Sequence, residues 1–197
     1  SVHFQTQLFT GTGSSLSVTN IGNADLQPDL VWIKNRDIVA SHVLTDTTRG
    51  ATKSLFSDQT SGESTETQQL TSFNSDGFTV GTSNNVNGNG NGSVAWQWKA
   101  NGGTTVTNTD GATNGYNTTV QANQTAGFSI VKFNAPFDQG NGRYNLGHGL
   151  GVKPEFIITK CSGASADWYI YHKDMGGNNV YLRLNLSNAT STAANRY

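Results

Sequence analysis

The sequence predicts an all-β protein: an antiparallel β-sandwich of the jelly-roll or concanavalin-like kind, made of two related β-units of which the second is incomplete. Three observations lead there. Gly, Ser, Thr and Asn dominate the chain while long helix-forming residues are scarce. The polar stretches are interrupted by short apolar and aromatic runs bounded by turn residues, which is how strands are written. One of those runs, "PDLVWIK" (Pro28 to Lys34), returns as "PEFIITK" (Pro154 to Lys160).

The elements follow in order. "HFQTQLFTG" alternates, with Phe4, Thr6 and Leu8 on one face and Gln5, Gln7 and Phe9 on the other. "PDLVWIK" is almost continuously apolar and reads as an interior strand buried on both faces. "SHVLTDT" and "KSLFS" are further strands, separated by a turn at Gly50, and "SGESTETQQL" is a loop. "SFNSDGFTVG" holds an Asp-Gly turn that feeds a strand at Phe78 to Val80. "NGNGNGS" lacks the lysine of a phosphate loop and precedes a strand, so it is expected to be a hairpin turn. In the strand after it, Val94, Trp96 and Trp98 share one face and Ala95, Gln97 and Lys99 the other. Residues 1–100 make the first unit. Residues 101–126 read as a polar linker with one or two edge strands, and 127–197 as the second, truncated unit.

The duplication rests on spacing. Phe128 and Phe133 repeat Phe4 and Phe9 at an offset of 124; Pro154, Lys160 and Gly176 repeat Pro28, Lys34 and Gly50 at 126. The portion of the first copy from about Thr71 to Ala100 has no second counterpart, so the second unit is expected to lack closing strands. A sandwich short of strands presents unpaired backbone groups. A neighbouring copy could supply the missing strand through Phe4, Thr6, Leu8 and Phe9, a head-to-tail contact that propagates a filament.

Charge and composition exclude some classes. Charged residues are 13% of the chain and the net charge is −1, too little positive surface for nucleic acid. No apolar run is long enough to span a membrane. Cys161, the single cysteine, is expected to be a small buried side chain. His3, His42, His148 and His172 show no metal spacing, and no nucleophile motif accompanies the many serines, so neither cofactor nor catalysis is expected. "NTDGATNG" (Asn108 to Gly115) carries oxygen ligands but not the closing acid of a calcium loop, and Asn and Asp serve turns without metal.

Aromatics are the remaining candidates. Trp96 and Trp98 offer a platform for sugar rings, but their phase with Val94 points to a core, opposite Trp32. Trp168, Tyr169 and Tyr171 are candidate ligand or interface aromatics. Sequons at Asn91, Asn117, Asn123, Asn185 and Asn188 are candidate glycosylation sites, no more numerous than so much Asn, Ser and Thr produces by chance.

The phrases "PDLVWIKNR", "SHVLTDTTRGATK", "VAWQWKANGG" and above all "LGHGLGVKPEFIITK" resemble a domain of unknown function found in virion structural and tail-fibre-like proteins of tailed phages, notably cyanophages. The resemblance implies a β-rich sandwich and a structural or adhesive role outside a cell or on a virion surface. The expected function is a non-enzymatic fibre or appendage subunit partnering itself. The alternative is a carbohydrate- or receptor-binding adhesin module that meets surface glycans.

Overall fold

The computed structural model describes residues 1–110, 117–134 and 145–192. Its strands in chain order are β1 (Phe4–Thr10), β2 (Leu16–Val18), β3 (Leu30–Asn35), β4 (Val43–Asp46), β5 (Lys53–Phe56), β6 (Ser64–Thr65), β7 (Leu70–Asn74) and β8 (Gly77–Val80). After a short helix α1 (Asn84–Asn87) come β9 (Gly92–Trp98), β10 (Val106–Asn108), β11 (Thr118–Asn123) and β12 (Phe128–Phe133). The last four are β13 (Phe156–Thr159), β14 (Tyr169–His172), β15 (Val180–Arg183) and β16 (Ser191–Thr192). The fold is an all-β sandwich of antiparallel sheets. A six-stranded sheet runs β1-β9-β3-β4-β5-β6; smaller sheets run β2-β8-β7, β10-β11-β12 and β13-β14-β15-β16.

The main core lies between the six-stranded sheet and the β2-β8-β7 sheet. Val31, Ile33, Val43 and Ala95 meet Val18, Leu70, Phe78 and Val80, with Val86 of α1 closing one end. Phe78 is fully buried, and removing a side chain of that kind from water stabilises by about 1.5–3 kcal/mol. The Asp-Gly turn behaves as its residues demand. Gly77 has φ +106°, and a Cβ there would run into the carbonyl of Val18, so only glycine fits.

At β1 and β9 the inner face is polar. Gln5, Gln7, Ser93 and Gln97 are buried; Ser93 donates to the Val86 carbonyl of α1, and the loop after β2 supplies partners for the three glutamines. Gln97 Nε2 donates to Asn20 Oδ1 (2.6 Å), Gln5 Nε2 to the Ala24 carbonyl (2.6 Å), and Gln7 Oε1 accepts from the Ile21 N–H (3.1 Å). A buried amide whose hydrogen bonds are made costs little. Trp96 and Trp98 consequently lie on the opposite, outer face, half-buried. The expectation that they face the sandwich core is corrected, although Trp96 does meet Trp32 (ring centroids 5.8 Å). The "NGNGNGS" turn is corrected too. It follows α1 and carries the chain from β8 in one sheet to β9 in the other, so it crosses the sandwich and closes no two-strand hairpin.

The repeat is present in three dimensions. β3 pairs with β4 with Leu30 opposite Asp46, and β13 pairs with β14 with Phe156 opposite His172, each position 126 residues on. β5 and β6 place Lys53 opposite Thr65, while β15 and β16 place Val180 opposite Thr192, now 127 residues on. Strand order and register are thus conserved across one inserted residue. Gly50 and Gly176 sit in equivalent turns with φ of +105° and +90°.

The two repeated lysines do the same work. Lys34 Nζ donates to the carbonyl of Ala40 (3.2 Å), and Lys160 Nζ to that of Ala166 (2.8 Å), again 126 residues apart. Each ammonium holds the loop between its strand and the next. Burial pushes Lys160 below the ordinary lysine pKa.

The second sheet packs on the outer face of the first. Trp168 and Ile158, with Leu184, meet Leu30, Trp32, Leu44 and Leu55. The Trp168 indole N–H donates to the carbonyls of Phe56 (2.8 Å) and Gln59 (3.1 Å). The backbone adds Ala166 N–H to Thr60 (2.8 Å) and Glu63 N–H to Ser162 (2.7 Å).

The segment 101–126 is more than a linker with edge strands. β11 is central in its sheet, paired with β10 and with β12 of the second unit. Its buried Gln121 accepts from the Gly103 N–H and donates to Thr47 and Thr48 of the first unit. Beside it, fully buried Asp29 accepts from three backbone N–H groups (Ala100, Gly102, Gly103) and from the Thr47 hydroxyl, at 2.7–2.9 Å.

Candidate functional site

Two surface features carry chemistry that the fold does not consume. The first is the outer face of the six-stranded sheet, which the second unit covers only in part. Across it the register aligns Thr6, Trp96 and Trp32 in one row and Phe4, Trp98 and Leu30 in the next. Trp98 is packed by Phe4 (centroids 5.0 Å) and by Phe128 (6.1 Å, interplanar 24°). Phe4 and Phe128 are the pair that the sequence repeats. Trp32, Trp96, Trp98, Lys34 and His42 line a cleft of about 370 Å³. Lys34 is fixed there, its Nζ donating to the carbonyls of Asn35, Ile38 and Ala40.

The second feature is a pair of sheet edges. β1 is the outermost strand of its sheet. Lys99 N–H donates to His3 and Gly11 N–H to Asn91. Odd-numbered residues of β1 therefore turn their backbone groups to β9, and Phe4, Thr6 and Leu8 turn theirs to the open edge. β13 is likewise outermost. Lys173 N–H donates to Glu155, so the backbone groups of Phe156 and Ile158 point away from β14. In the first unit the equivalent edge of β3 is filled by β9. No strand among the described residues fills it beside β13. Neither "FQTQLFT" nor "FIIT" contains a charge or a proline, the usual protections of an exposed edge. Leu8 and Phe156 are 58% and 52% exposed. Next to β13, Lys173 donates to Glu155 (2.7 Å) and that hydrogen bond and charge hold the carboxyl below the ordinary glutamate range.

The other sequence candidates fall differently. Phe4, Thr6 and Leu8 lie on the exposed face of β1, whereas Phe9 turns inward and packs against the core, 6.0 Å from Phe78. As an assembly strand, β1 is already paired with β9 of its own chain, which leaves only its outer edge to offer. Trp168 and Tyr171 are each 4% exposed, so the expectation of exposed contact aromatics there is corrected. Trp168 serves the contact between the two units, and the Tyr171 hydroxyl donates to Asn178 Oδ1 (3.3 Å) in the turn after its strand. Tyr169 is half-buried with its ring 5.4 Å from that of Tyr181.

Cys161 is exposed, not buried. It is the repeat equivalent of Asn35, which α1 covers, and no such helix lies over the second sheet among the described residues.

Of the sequons, Asn117 and Asn188 are exposed and Asn91 and Asn123 half-buried. Asn185 is engaged, accepting from the Trp168 N–H and donating to Asp167 (both 2.9 Å). Among the described residues no group of three His, Cys, Asp or Glu side chains is placed to hold a metal. In the "NTDGATNG" stretch Asn108 Oδ1 accepts from the Asp110 N–H, a local turn bond (2.7 Å); residues 111–116 lie outside the described residues. No helix of the described residues is long and apolar enough to cross a membrane.

A family model matches residues 1–197, the whole chain. The chain belongs to the family Domain of unknown function (DUF7483). No curated protein and no solved structure matches this DUF7483 chain. Sequence reasoning found the repeat and the first-unit tryptophans. It missed the cleft because alternation tells which side chains share a face, not which face a second sheet covers.

Proposed function

We propose that the chain is a non-enzymatic structural subunit that joins copies of itself by β-strand contacts, as in an extracellular fibre or a virion appendage. The observation that supports this most is the open edge of β13. It duplicates, in register, an edge that the first unit fills with β9. An uncharged, proline-free edge with exposed apolar side chains is a template for another strand. The uncharged edge of β1 offers such a strand on the next copy. Because β1 and β13 are different surfaces, the contact is heterologous and extends rather than closes. The location outside a cell or on a virion rests on the resemblance to phage appendage proteins.

Phe156→Pro tests it. The Phe156 N–H faces the open edge and its side chain is exposed, so proline blocks pairing while costing the fold little. Light scattering and electron microscopy are expected to show assemblies of the native chain that Phe156→Pro or Thr6→Pro reduces to single folded copies. A native chain that stays monomeric at all concentrations would sink the proposal.

A further inference from the structure

Beyond assembly, the cleft on the outer face has the makings of a ligand site. Its walls are the indoles of Trp32, Trp96 and Trp98, with Lys34 and His42 at the side. We propose that it binds an acidic saccharide, a pyranose ring bearing a carboxylate, seated against Trp96 and Trp98. The cleft's volume of about 370 Å³ falls in the range of small-ligand sites, roughly 300–1,000 Å³. A pyranose presents a flat face of C–H groups ringed by hydroxyls, and that face suits an aromatic wall while the rim stays wet.

The charge of the lining selects among sugars. Lys34 contributes a positive charge, and among the described residues no carboxylate lines the cleft; low-dielectric walls strengthen the pull on an anion. With its N–H groups committed to the carbonyls of Asn35, Ile38 and Ala40, Lys34 acts as a fixed charge. His42 supplies the hydrogen-bonding edge: among the described residues only its backbone is held, the N–H by Asp58 Oδ1 (2.9 Å) and the carbonyl by the Ser57 N–H (3.0 Å). The aromatic wall is rigid before any ligand arrives. Phe4 and Phe128 pack against Trp98, and Trp32 packs against Trp96. A preformed wall loses little side-chain freedom on binding. This site does not depend on the assembly proposal, because it uses a sheet face and not an edge.

The probe is an oligogalacturonate, compared with the same oligomer methyl-esterified, so that only the charge differs. Titration followed by tryptophan fluorescence is expected to saturate with the free acid and to be about tenfold weaker with the ester, a difference of about 1.4 kcal/mol. Trp98→Ala is expected to abolish the response, and Phe156→Ala, at a residue that does not line the cleft, to leave it unchanged. Saturation-transfer NMR on the native chain requires no variant; it is expected to carry indole magnetisation to the sugar ring protons. The proposal fails if neither oligomer binds, if the ester binds as well as the acid, or if Trp98→Ala still binds. It fails also if fluorescence changes only with protein concentration, which would put a second copy in the cleft.

Discussion

At the scale of single residues, the repeat shows how one position can be used in opposite ways. Asp29 and Glu155 each follow the proline of a repeated strand. Asp29 is fully buried and collects four hydrogen bonds, whereas Glu155 stands in solvent with Lys173. Bonds to a buried carboxylate are the strong kind. Replacing Asp29 by Asn turns one of its two oxygens, each of which accepts from two donors, into a donor facing donors. Asp29→Asn is expected to lower stability by about 1.5–3 kcal/mol, read as a fall in the urea midpoint with unchanged slope. Glu155→Gln, at an exposed pair, is expected to leave that midpoint where it is.

Among elements, much of the fold was legible and the rest was hidden for identifiable reasons. Strands β3, β4, β13 and β14 could be read because their apolar runs are bounded by proline and turn residues and recur at one spacing. The offset paired Lys34 with Lys160, but their shared task of holding the next loop emerges only where the acceptor carbonyls are placed. The orientation of β9 was not legible. Alternation grouped Trp96 with Trp98 but could not say that Gln97 would find Asn20, some 77 residues away in the chain, and so be the better side chain to bury. The same long-range dependence hid β11: its sequence "TTVQAN" is polar, and it is central because Gln121 reaches Thr47 and Thr48. The candidate cleft shares this origin. Its walls were named in the sequence, but its openness depends on how far the second sheet extends over the first.

For the whole molecule, Trp168 decides whether the two units behave as one. Its ring sits between Leu44 and Leu55, and its N–H satisfies two carbonyls at the end of β5. Trp168→Ala removes both contributions, at about 3–5 kcal/mol. Calorimetry of that variant is expected to split the single unfolding transition into two, the second unit melting first. Trp168→Phe keeps most of the packing and loses only the N–H, so one transition at a lower temperature is expected. Two transitions in the native chain would show instead that the contact is dispensable.

The extra residue between Gly176 and Val180 has a practical consequence. This turn is one residue longer than its counterpart after Gly50, yet the strands on either side keep the same pairing register. A Cβ at Gly176 or Gly177 would meet nothing within 4 Å, and lengthening an exposed loop costs little chain entropy. The turn is therefore the natural port for a label or a displayed peptide. An epitope inserted after Gly177 should be read by its antibody on the folded chain, with the melting temperature unmoved.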